Sequence, residues 1–187
     1  MEKRDFSLPV EHCPICGATG TFQVVGRVDN IPYFGETIET LVCCSNCKFK
    51  HADVMHLGEG EAARLELKIS SAGDMNVRVV KSSTGVIEFP ELGVVVRPGP
   101  SSEGYVTNVE GILNRVKEAI TSAKSCASPA KQRVAQRKLA ALERIRRGGK
   151  KATLILTDPL GHSAIIDKRA KRRKLTKSEI SKLTASA

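Results

Sequence analysis

The first half of the chain alternates apolar and polar residues with a period of two. Residues 21–28 and 35–43 are rich in β-branched residues, and each is predicted to form a strand. The segment between them carries Asn30 and Pro32, and Gly35 follows it, which favours a loop. The pattern therefore predicts a β-hairpin near the N-terminus.

More short strand patterns follow at close intervals along the chain. They cover residues 52–57, 63–70, 77–82, 85–89, 92–98, 152–158 and 163–167. Clusters rich in Gly, Ser and Pro separate most of them and favour turns. Many short strands with frequent turns are typical of a β-sandwich or a small barrel. We therefore predict a mainly β fold.

The apolar period changes to that of a helix in residues 107–123. Thr107 is a candidate N-cap there, and Glu110 would complete a capping box with it. The apolar residues recur at helical spacing, at Val109, Ile112, Leu113, Val116 and Ile120.

A second helix is predicted for residues 128–147. Ser128 is its candidate N-cap, Pro129 occupies its first turn, and two glycines follow its end. The two helices would form a hairpin at about 107–147, inserted into the β domain. An apolar stripe gives the second helix a face to bury, made by Val134, Leu139, Leu142 and Ile145.

Composition narrows the possible classes of protein. The hydrophobic content of 41% allows a buried core in a chain of 187 residues. No apolar run approaches the roughly 18 residues of a membrane span, and the polar N-terminus lacks the apolar stretch of a secretion signal. We therefore expect a cytoplasmic protein. The sequence carries no recognisable catalytic motif, so we do not expect an enzyme.

The net charge of +10 is concentrated in two segments. Residues 131–151 contain nine Lys and Arg against one Glu, and residues 168–187 contain eight against one. The second segment has only a weak apolar pattern. We predict that it is a basic, flexible tail, helical only on a partner.

Two cysteine pairs form the strongest chemical signal. Cys13 and Cys16 make one CxxC knuckle, and Cys44 and Cys47 make another. The predicted hairpin would bring the knuckles together, and four thiolates are the ligand set of a closed, structural zinc site. We predict one structural Zn²⁺ on these four cysteines.

The remaining cysteines and two histidines leave alternatives. Cys43 points to the opposite face of its strand from Cys44, so it is predicted to be a strand residue. Cys126 lies far away between the helices as a lone thiol. His12 and His51 flank the knuckles and are alternative ligands.

Several motifs in order resemble those of the ZPR-type zinc-finger proteins. After the knuckles come DMNVRVVKS at 74–82, FPELGV at 89–94, TNVEGIL at 107–113 and DPLGHSAI at 158–165. The resemblance covers about residues 11–167 and is to the single-module archaeal form. It implies a zinc ribbon, predicted at 1–57, and a β domain with the helical hairpin, predicted at 58–167, with the tail at 168–187 outside it. It also implies that the protein binds translation elongation factor 1A and assists its folding.

The resemblance directs attention to two loops as contacts for that partner. Asp74, Met75 and Asn76 could be presented by the first loop, and Glu91 by the second. The alternatives are local. Asp and Asn side chains often bond their own backbone in turns, and Pro90 often marks a strand edge.

A second class of function would use the basic segments. A cluster of cations favours phosphate groups through counterion release, without reading sequence. The alternative function is therefore a zinc-ribbon protein that binds RNA or the ribosome. Its candidate contacts are Lys168, Arg169, Lys171, Arg172, Arg173 and Lys174.

Overall fold

A computed structural model describes residues 4–31, 35–57, 60–99 and 101–184. The N-terminal part forms an antiparallel sheet with strand order β1-β2-β3-β4, which we call the ribbon sheet. Its strands are β1 (Arg4–His12), β2 (Thr19–Ile31), β3 (Gly35–Cys44) and β4 (Lys50–His56). The predicted β2–β3 hairpin is present. Part of its predicted loop, residues 32–34, lies outside the described ranges.

The first strand of the ribbon sheet was not predicted. β1 pairs along nearly its whole length with β2, from Arg4 opposite Val28 to His12 opposite Thr19. It is an edge strand, so Pro9 is tolerated without a broken ladder. Its mostly exposed side chains made the segment look like a polar terminus.

Within the described residues, the C-terminal part contains eight more strands in two sheets. They are β5 (Ala63–Ile69), β6 (Arg78–Lys81), β7 (Val86–Phe89), β8 (Val94–Val96), β9 (Tyr105–Asn108), β10 (Ala152–Asp158), β11 (Ala164–Ile166) and β12 (Lys171–Lys174). One sheet has the order β12-β5-β10-β7-β8, and the other has the order β11-β6-β9. Short 3₁₀ turns lie at Ala72–Asn76 and Pro90–Leu92.

One large apolar cluster among the described residues forms the main core of this β domain. The central strand β10 reads ATLILTD and is buried along most of its length, as expected of a strand covered on both faces. Leu67, Val79, Phe89 and Leu154 are each fully buried in the cluster. The predicted mainly β fold with an inserted helical hairpin is therefore confirmed.

The helical hairpin comprises α1 (Val109–Ser125) and α2 (Pro129–Arg146). All five predicted apolar positions of α1 are buried, while on α2 only Leu142 and Ile145 are, and Val134 is 49% exposed. Val134 lies near the tip of the hairpin, where it lines a groove together with Val94 and Val95 of β8.

The cap of α1 differs from the prediction. Thr107 remains in β9, paired with Val79, and Asn108 is the N-cap. The Asn108 side-chain oxygen accepts a hydrogen bond of 2.8 Å from the Gly111 amide. Glu110 instead pairs with Arg146 at 3.2 Å. The predicted capping box is therefore wrong, because the strand continues one residue further than the apolar pattern showed.

The prediction of a flexible basic tail is also wrong. β12 pairs with β5 over four residues, and a short helix α3 (Lys177–Thr184) follows. Backbone hydrogen bonds hold this strand. All four of its side chains are exposed, so it has no apolar alternation to reveal it. A short, charged edge strand also protects a sheet from edge-to-edge association.

The ribbon sheet rests on the β domain through β4. Val54 packs with Val80 and Ala164, and the Ser83 hydroxyl donates to Asp53 at 2.9 Å. At Gly104 the chain approaches β4 so closely that a Cβ atom would lie 2.4 Å from an Asp53 carboxylate oxygen. The predicted boundary near residue 57 adjoins the undescribed residues 58–59 and stays a prediction. None of the helices in the described ranges is long and apolar enough to cross a membrane.

Deleting residues 168–187 should destabilise the β domain. The truncation exposes the ladder edge of β5 and removes Arg169, which pairs with the buried Asp74 at 2.8 Å. Loss of about 2 kcal/mol or more would lower Tm by about 5 °C. Thermal unfolding followed by circular dichroism measures this, with Lys168→Ala as a full-length control. An unchanged Tm would show that the segment is not part of the folded domain.

Candidate metal centre

The ends of the ribbon strands position the four predicted cysteines. Cys13 and Cys16 occupy the turn between β1 and β2, while Cys44 ends β3 and Cys47 lies in the turn before β4. Because the β2–β3 register places Phe22 opposite Cys44, the two knuckles meet at one end of the sheet.

The sulfur atoms of these cysteines form a compact cluster. All four lie within 4.8 Å of one another. The Cys13–Cys47 and Cys16–Cys44 sulfur pairs are each 3.9 Å apart. Zn–S bonds of about 2.3 Å in a tetrahedron place sulfurs about 3.8 Å apart. The cluster therefore fits one zinc ion, and four thiolates would leave no open position on it.

Both knuckles use the same backbone geometry. The Gly17 amide donates to the Cys13 carbonyl at 2.8 Å, and the Lys48 amide donates to the Cys44 carbonyl at 3.1 Å. Each donor has a left-handed backbone, with φ of 73° at Gly17 and 63° at Lys48. No atom would crowd a Cβ at Gly17. The glycine is therefore explained by its positive φ and not by a close approach to sulfur.

Three of these thiols have pKa values shifted from that of a free cysteine. A hydrogen bond from the Thr21 hydroxyl lowers the pKa of Cys44 to about 6, and a bond from the Ala18 backbone lowers the pKa of Cys16. The Phe49 backbone acts in the same direction on Cys47. However, burial and the neighbouring sulfurs raise the pKa of that thiol to about 11. Without a cation, this cluster cannot carry four negative charges at neutral pH.

A small apolar cluster backs the sulfurs. Cys13 and Cys44 are buried together with Phe22, and the Phe22 and Phe49 rings stack with centroids 6.4 Å apart. Cys16 and Cys47 are exposed. The metal centre would thus have one side against the sheet and one side toward solvent.

The other candidate ligands lie outside the sulfur cluster. Cys43 pairs with Gln23 in the ladder and is half-buried, and Cys126 is exposed in the turn between the helices. Neither His12 nor His51 belongs to the cluster. His12 instead contacts Thr19 at 3.3 Å.

Comparisons with known proteins identify the family. A family profile described as the ZPR1 jelly-roll domain matches residues 73–185. A ZPR1-like protein of Pyrococcus horikoshii is 42% identical over 92% of this chain and 79% of its own length. A ZPR1-like protein of Methanocaldococcus jannaschii is 43% identical over 91% of this chain and 87% of its own length. The chain belongs to the ZPR1 family.

The ZPR1 match shows where the family domain ends and how much of a eukaryotic relative this chain spans. The profile includes residues 168–185, so the basic segment lies inside the family domain and not beyond it. Among eukaryotic relatives, the human zinc finger protein ZPR1 is 30% identical over 81% of this chain, which corresponds to 34% of the human protein. The chain thus spans about a third of that relative, as expected of a single module.

The loop predicted to present Asp74 and Met75 is folded inward. The Asp74 carboxylate is buried and accepts hydrogen bonds from the Ser70 and Ser71 amides at 2.8 and 2.9 Å. Met75 is buried in the main apolar cluster. These two side chains brace the turn, so the structure contradicts their role as exposed contacts and agrees with the local alternative.

The other predicted contacts are exposed but partly occupied. Asn76 is exposed, and so is Glu91. The Glu91 carboxylate accepts hydrogen bonds from the Thr153 amide and hydroxyl at 2.9 and 2.8 Å. Burial opposes ionisation of Glu91, but these bonds outweigh it and lower its pKa. Glu91 therefore holds the start of β10.

The six cations proposed for nucleic acid divide into two groups. Carboxylates engage three of them: Arg169 pairs with Asp74 and Asp167, Arg173 with Glu179, and Lys174 with Glu61. Lys168, Lys171 and Arg172 are exposed, without a carboxylate partner in the described ranges. Half of the predicted basic surface is thus neutralised within the protein.

The ribbon sheet carries an apolar surface that was not predicted. Strand register places Leu8, Val24 and Val42 in one row across it, and Val28, Ile38 and Met55 in another. Phe6 and Val10 extend the same face because side chains alternate along β1. We call these eight residues the ribbon face. The alternation of Phe6, Leu8 and Val10 is its sequence signal.

Changing single cysteines should separate ligands from neighbours. Cys16→Ser and Cys47→Ser should each abolish stoichiometric zinc, since a closed site needs all four thiolates. Cys43→Ser and Cys126→Ser should retain one zinc per chain, because both residues lie outside the cluster. Elemental analysis of the purified variants measures this. Loss of zinc from Cys43→Ser with retention in Cys47→Ser would refute the ligand set.

Asp74 should make stability depend on pH. The Ser70 amide bond, with help from Arg169, holds the pKa of Asp74 well below its usual range. Stability from a lowered pKa is fully present above the unfolded value of about 4 and is lost progressively as pH falls from there through the folded value. Asp74→Asn should cost about 2 kcal/mol at pH 7 and less at pH 3, where part of this stabilisation is already lost.

Urea unfolding at both pH values tests this effect. Asp5→Asn is the matched control. The Asp5 carboxylate is 73% exposed, and its ion pair with Arg27 is long, at 3.8 Å. A cost of Asp74→Asn that is equal at pH 7 and pH 3 would contradict the assignment.

Proposed function

We propose that this ZPR1-family protein binds translation elongation factor 1A before it is fully folded and assists its folding. One relative, from Schizosaccharomyces pombe, is named zinc finger chaperone zpr1 and is 32% identical over 58% of this chain and 23% of its own length. The choice of client follows from the family resemblance. The ribbon face is the observation that carries a client-binding role.

The ribbon face has the properties of a protein-binding surface. Leu8 is 57% exposed and Met55 is 41% exposed, at opposite edges of the sheet. Large contiguous apolar patches are uncommon on monomeric proteins and often mark interaction sites. An incompletely folded client offers the apolar segments that such a patch would cover. Met at the rim adds an adaptable side chain.

The zinc centre would position this surface. Val42 of the ribbon face packs against the buried Cys13, Phe22 and Cys44. Zinc would therefore fix the end of the sheet from which the apolar rows extend. In this proposal the protein acts by binding in the cytoplasm and performs no catalysis.

A second candidate function is contact with RNA or the ribosome. The exposure of all four β12 side chains supports it. The carboxylate partners of Arg169, Arg173 and Lys174 weaken it, since each such cation must give up an ion pair to meet a phosphate. We therefore rank it below client binding.

Refolding of denatured elongation factor 1A tests the proposed function. The wild-type protein should raise the yield of active factor, and the double variant Leu8→Ser, Met55→Ser should lose most of that effect. Exposed positions tolerate such changes with little cost in stability. The control is Val95→Ser, because Val95 is 50% exposed on β8, away from the ribbon sheet.

The outcomes distinguish the two candidates. Client binding predicts that Leu8→Ser, Met55→Ser fails while it retains zinc and its Tm. RNA binding predicts instead that Lys171→Gln, Arg172→Gln weakens binding and flattens its salt dependence. If the wild-type protein neither binds the denatured factor nor raises its yield, the proposed function is wrong.

A further inference from the structure

A small polar cavity lies between the β6–β9 pair and α1, separate from the ribbon face and the metal centre. Its volume is about 240 Å³, and its lining includes Lys81, Arg97, Ser102, Tyr105 and Arg115. We propose that this cavity binds an oxyanion group, a phosphate or a carboxylate. The inference goes beyond the proposed function and does not depend on client binding.

Lys81 forms the floor of the cavity. It ends β6 and is only 4% exposed. Its ammonium donates to the Ser82 carbonyl at 2.8 Å and to the Ser102 hydroxyl at 3.2 Å. An ammonium has three donors, so one remains for a ligand. Burying a charged lysine costs free energy unless an opposite charge pairs with it. A bound anion would therefore stabilise the charged form of Lys81.

Tyr105 and Arg115 form one wall. The Lys81 ammonium is 5.4 Å from the Tyr105 ring centroid, and the Arg115 guanidinium is 3.7 Å from the same centroid. Stacking on the ring fixes the plane of the guanidinium while leaving its N–H groups available. A planar fork of donors is the group that proteins use for phosphates and carboxylates.

The cations of this cavity have no carboxylate partner within 4 Å in the described residues, unlike several arginines elsewhere in the protein. Arg27, Arg64, Arg146, Arg169 and Arg173 each have a carboxylate within 4 Å. In the described part of the chain, no ion pair involves Lys81, Arg97 or Arg115. Glu103 is the one acidic residue in the lining of this cavity, and it is exposed. The local charge therefore favours an anion.

Two carboxylates act on Lys81 from a distance, and each accepts hydrogen bonds from other groups. Asp158 accepts from the hydroxyls of Ser82, Thr84 and Ser163 and from the Leu160 amide. Asp53 accepts from Ser83 and from the Val54 amide. Burial, with a smaller contribution from the Arg115 charge, lowers the pKa of Lys81 to about 8 despite the attraction of these two carboxylates.

The size of the cavity limits the ligand. Sites for drug-sized molecules enclose about 300–1,000 Å³. This cavity is smaller, so it fits a free oxyanion or the anionic end of a longer molecule. Ile87, Val96 and Val116 line the remainder. An apolar portion of the ligand next to the oxyanion would contact these side chains.

Titration of the zinc-loaded, full-length protein with inorganic phosphate tests the proposal. Isothermal calorimetry at constant ionic strength should show saturable binding, and NMR should show the pKa of Lys81 rising when phosphate is bound. Arg115→Gln should weaken binding about tenfold or more, as expected for loss of hydrogen bonds to a charged group. Arg133→Gln, which removes the same charge from an exposed site on α2, is the control.

Lys81→Met supplies a second variant of similar shape without the charge. It should also lose phosphate binding, and its circular dichroism spectrum checks its fold. Arg115 is exposed, so Arg115→Gln keeps the test valid even if Lys81→Met does not fold. Acetate in place of phosphate distinguishes the two ligand chemistries, and saturation by acetate alone would assign a carboxylate site. The proposal is overturned if neither anion saturates, or if Arg115→Gln and Arg133→Gln bind phosphate equally.

Discussion

Four sulfur atoms gathered within 4.8 Å are the constraint on which the N-terminal half of this protein depends. Thiolates at that spacing repel one another, and thiols at that spacing gain little. A zinc ion would offset the repulsion between the thiolates. In small zinc domains it contributes about 10–16 kcal/mol of apparent binding free energy. The described residues of the ribbon form no buried apolar cluster large enough to replace this contribution. Its buried cluster consists of Cys13, Phe22 and Cys44, two of which are cysteines of the site itself.

The β domain has the opposite balance. Among the described residues, its main cluster contains twenty buried residues and draws on strands from both sheets and on both helices of the hairpin. A core of that kind can hold a domain without metal. The two halves meet at β4, where Val54 packs on Val80 and Asp53 receives Ser83. The ribbon is therefore held by coordination at one end and by a small packed contact at the other.

This arrangement gives the ribbon face a physical rationale. A four-stranded sheet normally buries one face against a second layer. Here coordination replaces much of that burial, so the rows that include Leu8, Val24 and Met55 can stay open to a partner. The oxyanion cavity lies instead in the β domain, where a rigid scaffold fixes Lys81 and Tyr105. The two surfaces can thus serve different ligands.

Sequence patterns predicted the elements whose side chains carry the information. The α1 stripe, the buried β10 and the two knuckles were all recognised from spacing. The patterns failed where backbone hydrogen bonds, and not buried side chains, hold an element. β12 reads KRRK, is fully exposed and is held by its ladder to β5, so no hydrophobic period could reveal it. Both interpretations of Asp74 stayed open because a turn sequence does not show whether its carboxylate faces solvent or the amides of Ser70 and Ser71.

Amide hydrogen exchange of the zinc-loaded protein before and after chelation tests the central claim most directly. The account predicts that zinc removal abolishes protection in β1 to β4 while β5, β7 and β10 keep theirs, since their stability comes from the large apolar cluster. Retained protection in β2 and β3 after complete zinc removal would contradict it. So would simultaneous loss of protection in β10, because the β domain would then depend on the metal as well.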